Sequence, residues 1–123
     1  MVDQRIRALT PFVKVMDVER SVAFYRLLGM HVRDTFEPHG VLAWAHLECN
    51  EAHLMVERGH HPDPEGQGVQ FYLFADNLAA LREQLVSNGV ESGPIEDGSL
   101  GPSQEMRLID PDGYCLMVAQ IKP

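Results

Sequence analysis

One pattern of hydrophobic and polar positions occurs twice in this chain, and its two copies are about 60 residues apart. In the first copy, Thr10–Asp17 predicts a strand, and apolar residues at helical spacing predict a helix over Val18–Leu28. In the second copy, Val69–Asp76 predicts a strand that is followed by another helical stripe. That stripe consists of Leu78, Leu81 and Leu85. Two matched strand–helix pairs in one short chain predict a duplicated fold.

The ends of both predicted helices carry residues that favour a helix boundary. Asp17 and Asp76 stand where an N-cap is expected, and a carboxylate there accepts a hydrogen bond from a free helix N–H. Gly29 and Gly89 follow the last apolar positions, where glycine adopts the left-handed conformation at little cost. Each helix is therefore predicted to begin after an acidic cap and to end before a glycine.

Three strand-like runs follow each predicted helix. They are Met30–Thr35, Val41–Cys49 and Ala52–Glu57 in the first half, and Val90–Ile95, Glu105–Ile109 and Tyr114–Ile121 in the second. Tight turns at Cys49–Glu51 and Asp110–Gly113 separate the last two runs of each set. Each half therefore reads β-α-β-β-β, which predicts an α+β fold of two tandem modules.

Segments rich in glycine and proline divide the chain. Residues 1–123 are predicted to form one domain, with module one at about 9–58, a linker at 59–68 and module two at about 69–122. Gly93–Gln104 is also rich in glycine, proline and serine. It is predicted to be a long loop of the kind that often covers a binding site.

The composition narrows the classes of function. The chain has 123 residues, with 18 acidic and 10 basic side chains and a formal net charge of −8. Nucleic-acid binding needs clustered basic residues, so this charge argues against it and favours cationic small molecules. No apolar run approaches the roughly 20 residues that cross a bilayer, and Met1–Ala8 lacks the apolar segment of a signal peptide. We therefore expect a soluble cytoplasmic protein, and Cys49 and Cys115 suit a reducing compartment.

Four short motifs accompany the two modules. They are Val15–Asp17, Ser21–Tyr25, Leu28–Gly29 and Asp110–Tyr114. Together they resemble the vicinal oxygen chelate superfamily, which includes glyoxalase I, bleomycin resistance proteins and extradiol dioxygenases. The resemblance runs from about Leu9 to Gln120. It implies that the modules form curved half-open sheets around a cavity, and that the protein is a homodimer.

The same resemblance implies where a metal would be held. Metal-dependent members of the superfamily place His, Glu or Gln on the first and last strands of each module. Those positions fall here on Thr10, Met55, Gln70 and Met117. A hydroxyl, an amide and two thioethers suit neither zinc nor a hard cation, so we expect no metal and no other cofactor. The alternative is a divalent metal at a displaced two-histidine, one-carboxylate site of His46, His53 and Glu57.

Strand alternation predicts which side chains line the cavity, because residues two apart and partners across a tight hairpin share a face. If Met55 and Met117 face the cavity, alternation along the strands assigns mostly apolar and aromatic side chains, and a few polar ones, to the same faces. The predicted ligand-binding residues are Thr10, Phe12, Trp44, His46, His53, Met55, Glu57, Gln70, Tyr72, Phe74, Met106, Leu108 and Met117. This mixture is typical of a small-molecule pocket. The alternative is that these side chains simply fill the concavity as a second core.

The predicted function is metal-independent binding of a small molecule, aromatic or cationic. Trp44 and Tyr72 offer stacking surface, and no catalytic residue is predicted, because Cys115 has no neighbouring base. Two alternatives stay open. One is a metal-dependent lyase, isomerase or dioxygenase of the same superfamily, and the other is a structural or regulatory subunit without catalysis.

Overall fold

The computed structural model describes residues 5–60, 68–98 and 103–121. Backbone contacts divide the chain into two compact units, Met1–His61 and Pro62–Pro123. Each unit contains one four-stranded mixed sheet and one α-helix, which confirms the predicted α+β class. Most of the predicted linker, at 61–67, lies outside the described residues, as do positions 99–102 of the predicted loop. No helix within the described ranges is long and apolar enough to cross a membrane.

The first unit builds its sheet in the order β1-β4-β3-β2. Its elements are β1 (Phe12–Val15), α1 (Val18–Leu27), β2 (His31–Phe36), β3 (Trp44–Cys49) and β4 (Ala52–Arg58). β1 runs parallel to β4, and the other two pairings are antiparallel. A two-residue loop joins β3 to β4, with Asn50 in the left-handed region at φ 53°. Asn tolerates that conformation, which is why the predicted turn forms here.

The second unit repeats the arrangement in the order β5-β8-β7-β6. Its elements are β5 (Gln70–Phe74), α2 (Leu78–Ser87), β6 (Glu96–Asp97), β7 (Ser103–Ile109) and β8 (Cys115–Ile121). β5 is parallel to β8, and β8-β7 and β7-β6 are antiparallel. The two sheets therefore share one topology, which the repeated sequence pattern predicts.

The predicted strand at Val90–Ile95 is wrong, and a two-residue strand forms instead at Glu96–Asp97, inside the predicted loop. The Arg82 side chain contributes to the shift. Its Nε donates to the Gly93 carbonyl at 3.0 Å and its guanidinium also donates to the Ser92 carbonyl at 3.3 Å. These bonds hold the segment against α2. The Gly93 N–H still donates to the Arg107 carbonyl at 3.0 Å, but Pro94 has no N–H with which to continue the ladder, so regular pairing begins only at Glu96.

The helix boundaries follow the predicted chemistry with one correction. Asp17 caps α1, because its carboxylate accepts from the Arg20 N–H at 3.2 Å. The cap of α2 is Asn77 and not Asp76, since the Asn77 side chain accepts from the Ala80 N–H at 3.0 Å. Asn and Asp are almost equally good N-caps, so two adjacent candidates cannot be ranked by residue type.

Each helix packs on one face of its own sheet and forms a core there. In the first unit the core includes Val15, Ala45, Leu47, Val56 and Tyr25. In the second unit it includes Leu78, Leu85, Met106, Leu108, Leu116 and Val118. Because side chains alternate along a strand, every second residue points away from the helix. We call the side turned away from the helix the open face of each sheet.

The hairpin between β7 and β8 has a three-residue loop, and this length sets the register of β7. The Asp110 N–H donates to the Tyr114 carbonyl at 2.9 Å, so these two residues still pair. The Gly113 N–H donates to the Asp110 carbonyl at 3.0 Å, and Gly113 has φ 91°. A turn followed by a left-handed glycine is typical of three-residue hairpin loops, and here it places Arg107 opposite Met117.

The buried Asp110 carboxylate holds this loop together, and its removal tests that role. Its Oδ1 accepts from the N–H groups of Asp112 and Tyr114, both at 2.9 Å. We expect Asp110→Ala to lower the free energy of unfolding by about 1–3 kcal/mol in urea titrations, because both donors lose their acceptor. Asp110→Asn keeps an acceptor oxygen and should cost less. An equal loss in the two variants would contradict this account.

Candidate functional site

The open face of the first sheet gathers most of the site residues predicted in the first module. The cross-strand pairs Phe12–Met55, Met55–His46, Glu57–Trp44 and Glu48–His53 fix which side chains share it. Its members are Phe12, Lys14, His31, Asp34, Phe36, Trp44, His46, Glu48, His53, Met55 and Glu57. The register therefore brings the predicted first-module residues from Phe12 onward to one face, and their role in binding stays a prediction.

Two histidines meet at the centre of this face. His46 Nε2 and His53 Nδ1 lie 2.9 Å apart, and His46 is buried while His53 is half-buried. The same His53 nitrogen is 3.7 Å from Glu48 Oε2, and Glu48 also lies 3.6 Å from Arg33. The imidazoles thus bond to each other, and Glu48 is the carboxylate beside them.

Glu57, the third member of the predicted displaced metal site, shares the face with the histidines but is paired with Lys14. Its Oε2 lies 2.8 Å from Lys14 Nζ, and that ammonium stands 5.8 Å from the centre of the Phe12 ring. Both side chains of the ion pair are partly exposed, so the pair adds little stability. Within the described ranges, no group of three or more His, Cys, Asp or Glu side chains is arranged to hold a metal ion.

The four positions that the resemblance assigns to metal ligands carry few suitable donors. Thr10 precedes β1, close to where the Met55 N–H donates to the Pro11 carbonyl at 2.9 Å. In the second unit Gln70 pairs with Cys115, and Met117 pairs with Tyr72. Gln70 alone is of a residue type that the metal-dependent members use, and one hydroxyl and two thioethers beside it supply neither the carboxylate oxygens of a hard-cation site nor the imidazole and thiolate ligands of zinc. The residues present therefore do not fit the metal that the fold implies.

The open face of the second sheet combines aromatic and charged side chains. Its described members are Gln70, Tyr72, Phe74, Glu96, Glu105, Arg107, Ile109, Cys115, Met117 and Ala119. The rings of Tyr72 and Phe74 are 5.4 Å apart at 57°. The Tyr72 hydroxyl donates to Glu105 Oε2 at 2.9 Å. These contacts join β5 to β7 above the intervening strand β8.

The prediction that Met106 and Leu108 share a face with Met117 is wrong. Both are only 1% exposed, and they pair with Val118 and Leu116 on the helix-covered face. The prediction counted four residues in the turn, whereas the loop has three, and a shift of one residue exchanges the two faces of a strand. With the correct count, alternation places Glu105 and Arg107 on the open face instead.

Other open-face residues follow from signals that the sequence does contain. Glu48 lies two positions after His46 on β3, so alternation alone assigns it to the same face. Phe36 pairs with Trp44, but β2 carries a register irregularity between Val32 and Asp34 that obscures its alternation. Irregular pairing of this kind has no clear signature in the sequence.

Several aromatic side chains of the open faces are unusually exposed for their size. Phe12 is 51% and Phe74 is 68% exposed, and Phe36 and Tyr72 are exposed as well. Exposed apolar patches that include polar groups are typical of interaction sites. The open faces are therefore the candidate binding surfaces.

A groove of about 950 Å³ lies beside the end of α2 in the second unit and adjoins the second open face, because Arg107 and Ile109 belong to both. It is lined in part by Val86, Val90, Ser92, Arg107 and Ile109. None of the predicted ligand-binding residues lines it. It is thus an alternative location against which the open faces can be tested.

Comparison with known proteins places this geometry in a family. Residues 8–118 match the Glyoxalase/Bleomycin resistance protein/Dioxygenase superfamily, and the chain belongs to this superfamily. No curated protein matches the chain.

Solved structures with the same fold include two bleomycin-related proteins. A bleomycin-binding protein complexed with bleomycin has a TM-score of 0.76 and 23% identity, covering 95% of this chain and 100% of that one. A bleomycin resistance determinant encoded on the transposon Tn5 has a TM-score of 0.77 and 23% identity, with 96% and 100% covered. An integron cassette protein from the Halifax Harbour sewage outfall has a TM-score of 0.76 and 20% identity, with 94% and 100% covered. At these identities the likeness shows the fold.

Two methionines on opposite faces of the second sheet test the corrected register. Met106→Ala should lower the free energy of unfolding by about 2–5 kcal/mol, because it leaves a cavity in the core. Met117→Ala, at a half-buried open-face position, should cost clearly less. Urea unfolding of both variants makes the comparison. A larger cost at Met117 would mean that the faces are assigned the wrong way round.

Proposed function

We propose that this protein binds a small aromatic or amphiphilic molecule on its open faces without using a metal. The observation that carries the proposal is the exposure of large aromatic side chains there, beside a few polar groups. Covering Phe12, Phe36 and Phe74 with a ligand would remove their apolar surface from water and so favour binding. Polar groups such as His53 and Gln70 would orient the ligand.

Metal independence is supported by donor chemistry. The resemblance assigns the superfamily's ligand positions to Thr10, Met55, Gln70 and Met117, and Glu48 lies 3.7 Å from the His53 ring nitrogen that is bonded to His46. The solved relative that binds bleomycin makes that drug a reasonable first compound to test. The net charge of −8 would help to attract a cationic compound.

Binding can be tested by thermal unfolding against a compound panel that includes bleomycin, with EDTA present throughout. A ligand at about 100 times its dissociation constant should stabilise the protein by roughly 2.7 kcal/mol. Fluorescence of Trp44, the single tryptophan, gives an independent readout on the first open face. No stabilisation by any compound would favour the structural or regulatory alternative.

A matched pair of variants locates the site. Phe12 and Val86 are both 51% exposed, but Phe12 lies on an open face and Val86 lines the groove beside α2. Phe12→Ala should weaken binding of a panel ligand about tenfold, equivalent to about 1.4 kcal/mol. Val86→Ala should leave the affinity unchanged. The reverse result would move the site to the groove.

Metal analysis of protein purified without chelators or metal-affinity tags tests the second half of the proposal. We expect far less than one metal ion per chain. Stoichiometric metal that is lost in His46→Ala and His53→Ala but kept in Thr10→Ala would overturn metal independence. It would instead support the metal-dependent enzyme of the same superfamily.

A further inference from the structure

One row of side chains across the second open face carries unbalanced negative charge. The register aligns Phe74, Ala119, Glu105 and Glu96 on the neighbouring strands β5, β8, β7 and β6. Glu96 and Glu105 are direct cross-strand partners, so their side chains lie on the same face. Like charges in that position destabilise a sheet unless something compensates them.

Within the described part of the chain, no cation compensates this pair. Neither Glu96 nor Glu105 forms an ion pair there, and the one hydrogen bond to the Glu105 side chain comes from Tyr72. Arg107 is the nearest basic residue on the face, two positions along β7 and about 7 Å away along the strand. Two carboxylates therefore face solvent together beside two aromatic rings.

The equivalent row of the first sheet is balanced. There the register aligns Lys14, Glu57, Trp44 and Phe36. Lys14 neutralises Glu57 at 2.8 Å, and the rest of the row is aromatic. Where the first sheet has Lys14 and Glu57 in this row, the second has Phe74 and Ala119. The row of the second sheet therefore contains no lysine or arginine opposite its glutamates.

We infer that Tyr72, Phe74, Glu105 and Glu96 form a subsite for the ammonium group of an organic cation. An alkylated ammonium is attracted to the faces of aromatic rings and is weakly hydrated. The rings of Tyr72 and Phe74, 5.4 Å apart and tilted by 57°, present two such faces beside the carboxylates. This inference rests on the proposed function, for which it names the chemical class of ligand.

The hydrogen bond of Tyr72 favours an ammonium over a guanidinium. Glu105 Oε2 already accepts the Tyr72 hydroxyl, and a guanidinium prefers two parallel hydrogen bonds to both oxygens of a carboxylate. An ammonium needs only the nearby charge. Ala119, the β8 residue between Phe74 and Glu105, is fully buried, so this row has a small side chain between the ring and the carboxylate. The Tyr72–Glu105 bond would hold the tyrosine ring and the carboxylate in place before a ligand arrives.

A charged probe and its neutral isostere test the subsite. Choline and 3,3-dimethylbutan-1-ol have the same shape, but only choline carries a positive charge. In an NMR titration of the intact chain we expect choline to bind at least about tenfold more tightly, with the largest shifts at Tyr72 and Phe74. Added NaCl should weaken the binding of choline and leave the binding of the alcohol unchanged.

Variants separate this subsite from general electrostatic attraction. Glu105→Gln should weaken the binding of choline about tenfold. If that variant fails to fold, Glu96→Gln removes the other charge of the same pair. Glu83→Gln removes an equal charge from the exposed surface of α2, outside both open faces, so it should leave choline binding unchanged. Equal affinity for the two probes, or equal effects of Glu83→Gln and Glu105→Gln, would overturn the inference.

The outcome is distinguishable from a failure of the proposed function. If choline fails to bind while a panel compound still stabilises the protein and responds to Phe12→Ala, only the ammonium subsite is wrong. If choline binds as expected but no panel compound does, the subsite stands and the aromatic ligand class is wrong. Failure of both would remove the small-molecule function itself.

Discussion

A single helix of ten residues can cover only one face of a four-stranded sheet, and the rest of each unit depends on that limit. One face becomes a core in which residues such as Leu47 and Leu116 are fully buried. The opposite face is formed by the alternate residues of the same strands, and these residues are not constrained by close packing against the helix. Aromatic, imidazole and carboxylate groups collect there for that reason.

The duplicated topology was predictable because its signals are local and occur twice. Strand–helix patterns, caps such as Asp17 and glycines such as Gly29 each act over a few residues, and the two copies support one another. The faces of β3 and β4 were predictable too, since the two-residue loop around Asn50 leaves little freedom of register.

The remaining errors arose where one residue decides the outcome. The sequence around Asp110 is compatible with a three- or a four-residue turn, and the hydrogen bonds of the buried carboxylate favour the shorter one together with the left-handed Gly113. The failed strand at Val90–Ile95 depends on Arg82, a helix residue whose contact with Ser92 and Gly93 has no periodic signature. Long-range side-chain contacts of this kind are visible only in three dimensions.

The loop around Asp110 also constrains how the protein can change over generations. Adding or removing one residue there would turn Met106 and Leu108 outward and bring Glu105 and Arg107 into the core, where unpaired charges would destabilise the sheet. Replacing a single open-face side chain costs little by comparison. A change in which ligand the protein prefers should therefore arise by substitution of open-face residues on β7, while the length of this loop stays fixed.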